Sequence, residues 1–152
     1  YHHLFGQNIT CLRFFTVYGP WGRPDMAPFK FTSAILKGEP VAVFNKGRMK
    51  RDFTYISDIV SGVLSALEKP LGFCILNLGH GKPVPLMRFI RAIERATGKK
   101  ATINLQPLQA GDVEETHADI GKARKLIGYR PRVSIEEGMS EFVRWYKDYY
   151  KQ

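Results

Sequence analysis

The sequence predicts an α/β fold, and three observations carry that expectation. Short β-branched and aromatic runs alternate with stretches of helical period, giving a strand, helix, strand order. Glycine and proline mark the boundaries, at Gly6, Gly38, Pro70, Gly72, Gly98 and Gly128. At 152 residues with 44% hydrophobic content, the chain has the length of one ordinary domain and enough apolar side chains for a substantial core.

Ile9 to Phe15 is apolar, β-branched and aromatic, which reads as a mostly buried strand, and Gly6 before it suits the end of an earlier helix. Thr16 to Ala27, broken by Pro20, Gly22 and Pro24, is expected to be a long loop. Pro28 is tolerated in a first helical turn, and Phe31, Ile35 and Leu36 form an apolar stripe before Gly38. Val41 to Phe44 and Asp52 to Ile56 read as strands flanking the turn Asn45-Lys46-Gly47-Arg48. Ser57 or Asp58 is expected to cap a helix to about Glu68, with Ile59, Val60, Val63, Leu64 and Leu67 as its apolar face. Phe73 to Leu78 is a further strand, followed by a loop through Gly79, Gly81 and Pro83.

Leu86 to Thr97 places Phe89, Ile90 and Ile93 on one helical side, and Gly98 closes it. Ala101 to Leu105 alternates like a strand. Beyond the turn-rich Gln109 to Asp112, Asp119 is expected to cap a short helix ending at Gly128. Ser134 with Glu137 makes a capping box for the last helix, whose Phe142, Val143, Trp145 and Tyr146 are read as core and not as a base-stacking platform.

No run approaches the roughly 20 apolar residues of a membrane span, so a soluble protein is expected. Cys11 and Cys74 sit in apolar stretches as small buried side chains, and neither they nor the four histidines stand at zinc-ligand spacing. These counts fit a reducing cytoplasm. The formal charge of +9 raises nucleic acid as a partner, but most basic residues fall at helix ends or on polar faces, and no nucleic-acid motif occurs. Only Lys46, Arg48, Lys50 and Arg51 are concentrated enough to suggest an anion site.

The chemistry-bearing patterns are mostly missing. Gly79-His80-Gly81 follows a strand, but Val84 stands where a dinucleotide fingerprint needs its third glycine. Neither a phosphate-binding P-loop nor a nucleophile elbow occurs. Glu114, Glu115, Glu136 and Glu137 read as solvated or capping groups before an acid/base pair.

Two stretches stand apart: Leu12-Arg-Phe-Phe-Thr-Val-Tyr-Gly-Pro-Trp-Gly-Arg-Pro-Asp-Met-Ala27, and Lys50-Arg-Asp-Phe-Thr-Tyr-Ile-Ser-Asp-Ile59. They resemble the extended short-chain dehydrogenase/reductases that act on nucleotide sugars. The first, with Gln109-Ala-Gly-Asp-Val113, is similar to the UDP-glucuronate 4-epimerase group, and the likeness covers nearly the whole chain. It implies the sugar-nucleotide lobe of such an enzyme plus the last strands and helices of its Rossmann-type sheet. Residues 1–18 and 53–79 would belong to the cofactor side, and 19–52 and 80–152 to the substrate-binding lobe.

In that family a Tyr-x-x-x-Lys pair works with NAD: the tyrosine takes the sugar 4-hydroxyl proton while hydride passes to the nicotinamide, and the ketone is reduced from its other face. The lysine charge favours the phenolate. Four positions after Tyr1, Tyr18, Tyr55, Tyr129 and Tyr146 stand Phe5, Gly22, Ile59, Val133 and Tyr150, so this sequence has no such pair. It is therefore expected to be an inactive C-terminal portion, with catalysis in a longer parent. The parent is expected to be a homodimer, and the isolated portion to self-associate through orphaned edges.

The resemblance assigns substrate contacts to Thr16 near the sugar, Arg23 at the uronate carboxylate and Arg51 at the UDP diphosphate. Lys50, Gln109 and Asp112 are secondary candidates, Gln109 standing where relatives place another phosphate arginine. The backbone of Phe14 and Phe15 is a candidate NAD contact, and no metal is implied. A UDP-glucuronate decarboxylase, a nucleotide-sugar dehydratase and a non-catalytic UDP-sugar-binding module are the alternatives.

Overall fold

The computed structural model describes residues 1–151. Along the chain run α1 (His2–Phe5), β1 (Ile9–Phe14), β2 (Thr16–Tyr18), α2 (Ala27–Lys37) and β3 (Pro40–Val43), then a 3-10 turn at Phe44–Gly47. There follow β4 (Lys50–Arg51), β5 (Phe53–Tyr55), α3 (Ile56–Leu67), β6 (Phe73–Leu78), β7 (Val84–Pro85), α4 (Leu86–Thr97), β8 (Thr102–Leu105), α5 (Gly121–Ile127) and α6 (Ile135–Tyr150).

The strands pair at long range. β1 lies parallel to β6, from Ile9 opposite Phe73 to Phe14 opposite Leu78. β2 lies parallel to β5, β3 parallel to β8, and β4 antiparallel to β7. The two strands expected to flank the Asn45–Arg48 turn thus do not form a hairpin. Asn45 and Lys46 both take left-handed φ, 49° and 50°, so the chain coils on instead of folding back. Thr16 to Tyr18, expected in a loop, is a strand, because the Thr16 amide donates to the Asp52 carbonyl at 3.1 Å and β5 receives it.

Two apolar cores position the rest. The first joins α2, β3, β5, α4 and α6 through Phe29, Ile35, Val43, Phe53, Phe89 and Phe142. At its centre the rings of Phe53 and Phe89 stack at 4.2 Å and 8°. Phe142, Val143 and Tyr146 are buried core residues, as the sequence pattern predicts. The second core joins α3, β6 and α5 through Ile59, Leu76, Leu78, Ile127 and Tyr129.

The apolar face expected of α3 is only partly core. Ile59 is buried, but Val60, Val63, Leu64 and Leu67 are exposed, Leu67 at 81%. The inner side is set by a small residue: a Cβ on Gly62 would stand 2.9 Å from both Leu78 and Tyr129, so close approach and not bulk selects the packed face. Neither Ser57 nor Asp58 caps α3, which begins at Ile56 after Tyr55 without a side-chain cap. Asp58 is buried instead, and its carboxylate accepts the amides of Arg132 and Val133, each at 3.0 Å.

At α5 the cap position is Ile120, while Asp119 still accepts the Gly121 amide at 2.9 Å. Ser134 caps α6 by accepting from the Glu137 amide at 3.2 Å. Cys74 is buried as expected, but Cys11 is exposed, since β1 presents that face to solvent. Among the described residues no helix is long and apolar enough to cross a membrane.

Candidate functional site

β4 is two residues long, and its Arg51 points into a cavity of about 240 Å³ closed by the start of α2. Arg51 Nη1 donates to the carbonyls of Lys50 and Glu114 at 2.9 and 3.2 Å, and Nη2 to Asp112 Oδ1 at 2.7 Å. The side chain is 18% exposed, so the guanidinium is fixed from behind and open on one side. Thr16, at the start of β2, lines the same cavity, as does Asp112. The remaining wall is apolar, from Met26, Pro28, Phe31, Phe44, Met49 and Leu86. One cationic fork, a hydroxyl and an apolar wall suit a ligand with an anionic group and a flat or apolar part.

Asp52 holds this arrangement together. Its fully buried carboxylate accepts the amides of His80, Gly81 and Ala118 at 2.6, 2.9 and 3.0 Å and the Thr54 hydroxyl at 3.3 Å. Its own amide donates to Thr116 Oγ1 at 3.1 Å. The burial of a charge is offset here by four donors. Residues 112 to 116 run as a strap across β4: the Lys50 amide donates to Glu114 O at 2.8 Å, and the Thr116 amide to Lys50 O at 3.2 Å.

The sequence candidates divide into two groups. Thr16, Arg51 and Asp112 share one cavity, and Gln109 with Asp112 borders the adjoining opening next to Lys30 and Phe31. Arg23 is not on the wall of that cavity. It is exposed and forks onto Asp25 at 3.1 and 2.6 Å, a bond that raises the Arg23 pKa and lowers that of Asp25. Lys50 points outward to Glu115 at 3.1 Å. Phe14 is exposed at the end of β1, and the Phe15 amide is donated to Leu78 O at 3.2 Å.

Sequence reasoning missed Asp52, Phe44 and Met49. The available signal for Asp52 was an acid directly before the largely apolar strand Phe53 to Ile56, where a charge stays only if donors surround it. Trp21 takes a left-handed φ of 61° and sets its ring edge-on to Trp145 and Tyr149 at 5.3 and 5.1 Å. Among the described residues, no group of three or more His, Cys, Asp or Glu is placed to hold a metal ion.

Residues 1–79 match the model of the NAD dependent epimerase/dehydratase family. An uncharacterized protein of Methanocaldococcus jannaschii is 54% identical over 146 residues, 96% of this chain and 45% of that protein. A UDP-glucuronate 4-epimerase of Thermodesulfobacterium geofontis is 48% identical over 149 residues, 97% of this chain and 46% of its own length. Among solved structures, UDP-glucuronic acid 4-epimerase from Bacillus cereus, in complex with UDP-glucuronic acid and NAD, superposes with a TM-score of 0.91 at 37% identity. That match covers 98% of this chain and 48% of the other. The chain thus spans about half the length of the relatives it matches.

Proposed function

Because the chain belongs to the NAD dependent epimerase/dehydratase family and shares its mixed α/β fold, we propose that it forms the substrate-binding part of an NAD-dependent nucleotide-sugar 4-epimerase. The substrate pair is UDP-glucuronate and UDP-galacturonate. The observation that carries this reading is the convergence of Thr16, Arg51 and Asp112, from three distant segments, on one cavity.

Arg51 binds the UDP diphosphate: its fork is held by two carbonyls, and its Nη2 exchanges or shares Asp112 with the incoming anion. Phe31, Phe44 and Met49 supply an apolar wall for the base. Thr16 Oγ1 takes a sugar hydroxyl. Arg23 binds the uronate carboxylate after leaving Asp25, which keeps the transient 4-keto acid from losing carbon dioxide. Lys50 and Gln109 assist at the phosphates. The resemblance to UDP-glucuronate 4-epimerases in and around Thr16 and Arg23 favours epimerisation over decarboxylation or dehydration.

NAD, when bound, supplies the hydride exchange at the sugar C4. This chain offers it no glycine-rich loop, only the strand end at Phe14 and Phe15, whose Phe15 amide is already committed to Leu78. With no Tyr-x-x-x-Lys pair, these 152 residues hold the substrate and leave proton transfer and the main NAD contacts to residues outside them. Residues 1–18 and 53–79 serve the cofactor side, and 19–52 and 80–152 the substrate lobe, with Ala118 to Tyr129 packed back onto α3 and β6. The working enzyme is a cytoplasmic homodimer.

Calorimetric titration of the chain with UDP tests the binding half of the reading. Binding that weakens with salt and is lost in Arg51→Gln is expected, and a folded chain that ignores UDP would reject it. Product analysis of a polypeptide that adds a Tyr-x-x-x-Lys half tests the reaction: UDP-galacturonate is expected, whereas a UDP-pentose would move the assignment to decarboxylation.

A further inference from the structure

A second cationic cleft, which shares only the buried Phe53 with the Arg51 cavity, lies between the loop that follows β6 and the segment joining α5 to α6. Two adjoining cavities of about 370 and 390 Å³ share His80, Lys82 and Pro131. Arg88 and Arg132 line one, Arg124 and Arg130 the other. These residues are scattered over 53 positions in the sequence, so composition and spacing do not reveal them as a group.

Three features separate this cleft from an ordinary solvated surface. First, its charges are unanswered: among the described residues, Lys82, Arg124, Arg130 and Arg132 have no carboxylate within 4.0 Å, and only Arg88 is paired, with Glu136 at 2.9 Å. Gathering like charges without counter-charges raises the local potential, which an anion relieves. Second, both walls are pinned from inside. Asp52 holds the amides of His80 and Gly81, and Asp58 holds those of Arg132 and Val133. Tyr129 fixes the base of the cleft by donating to Gly79 O at 3.0 Å. Asp58 accepts from these backbone amides, Asp52 from backbone amides and the Thr54 hydroxyl, and among the described residues neither forms an ion pair with a cation of the cleft. Third, the floor is firm and partly apolar, from Pro83, Val84 and Pro131.

We propose that this cleft binds a small ligand carrying two or more linked phosphate groups, at a site separate from the UDP-sugar cavity. Three arginine forks and a lysine on walls that need not reorganise match several phosphate oxygens at once, which a single carboxylate or sulfate does not. The proposal is independent of the epimerase reading, since no residue of the cleft that carries a charge lines the Arg51 cavity.

The chain is titrated by calorimetry with inorganic tripolyphosphate and with ATP, and in parallel with a short DNA duplex. Saturable, salt-sensitive binding of tripolyphosphate is expected to persist in Arg51→Gln, which removes the competing diphosphate fork of the other cavity. The double substitution Arg130→Gln with Arg132→Gln is expected to weaken it by about tenfold or more. Both side chains are exposed and the Asp58 pin is to backbone amides, so the fold is retained. Lys122→Gln with Lys125→Gln removes the same charge from the exposed side of α5 and is expected to leave binding intact. Tighter binding of ATP than of tripolyphosphate identifies a nucleotide as the ligand, and equal binding a free oligophosphate. Absence of saturable binding, equal losses in the two double variants, or a preference for DNA over both phosphates would each overturn the proposal.

Discussion

Asp112 and Arg51, 61 residues apart in sequence, meet at 2.7 Å with the guanidinium mostly enclosed. The pair places a negative group where the proposed substrate brings a diphosphate. Arg51→Gln should therefore weaken UDP binding by about 1.5–3 kcal/mol, on the order of tenfold to a hundredfold, as loss of a charge-assisted fork implies. Asp112→Asn leaves the fork in place without the competing charge and should shift affinity far less. Calorimetry on both variants checks the contrast, and equal losses would place the diphosphate elsewhere.

Tyr18 of β2 packs against the space beside Gly138 of α6. Among the described residues the buried Tyr18 hydroxyl has no hydrogen-bond partner, and burial raises its pKa. A Cβ on Gly138 would overlap that hydroxyl. Gly138→Ala should destabilise the chain by about 1–3 kcal/mol in urea unfolding. Tyr18→Phe should cost little, and should recover part of the Gly138→Ala loss when the two are combined. No recovery would mean that the Cβ is accommodated by another route.

Asp58 serves two amides at the entrance to α6. Asp58→Ala leaves both buried donors unanswered and should cost about 2–3 kcal/mol. Hydrogen exchange at Arg132 and Val133 should accelerate beyond the global change, which separates loss of the pin from general loosening.

Glu136 bridges α4 and α6 by accepting from Arg88 at 2.9 and 3.1 Å and from Arg95 at 3.2 Å. The Arg88 hydrogen bonds lower its pKa below the ordinary 4.5. A carboxylate with a depressed folded-state pKa contributes stability above its unfolded value and loses it as pH falls through the folded one. Stability should therefore decline below pH 4.5, and Glu136→Gln should flatten that part of the curve. Identical acid limbs for the two proteins would exclude the bridge as a cause.

The exposed side of α3, with Val60, Val63, Leu64 and Leu67, lies beside β1, which pairs only with β6 among the described strands. Apolar surface and an open strand edge together favour self-association of the chain on its own. Sedimentation should show concentration-dependent oligomers, reduced by Leu64→Glu with Leu67→Glu. A monomer at all concentrations would rule the association out.

Much of the fold was legible because local signals and tertiary outcome agree. Gly38, Gly98 and Gly128 end helices in left-handed conformations, and Phe89, Ile90 and Ile93 are buried as the period of α4 requires. The errors fall where partners are remote. Val41 and Phe53 look like hairpin neighbours, yet each pairs with a strand that no local rule can nominate. On α3, bulk suggested a buried face, while the space beside Gly62 decided it. Of the site, the Arg51 motif was readable from its residues. Its fixation by the carbonyls of Lys50 and Glu114, and the fork of Arg23 onto Asp25, depend on chain geometry that composition does not carry.

The bonds of Asp52 also impose an order in time. Its carbonyl is needed to set Thr16, and its carboxylate is not satisfied until the Ala118 amide arrives. During synthesis the Thr16 and Arg51 segments emerge before residue 118, so one of the donors that offset the buried Asp52 charge arrives last. The Arg51 cavity should therefore close only after residues 112 to 118 have been made and have reached β4 and Asp52.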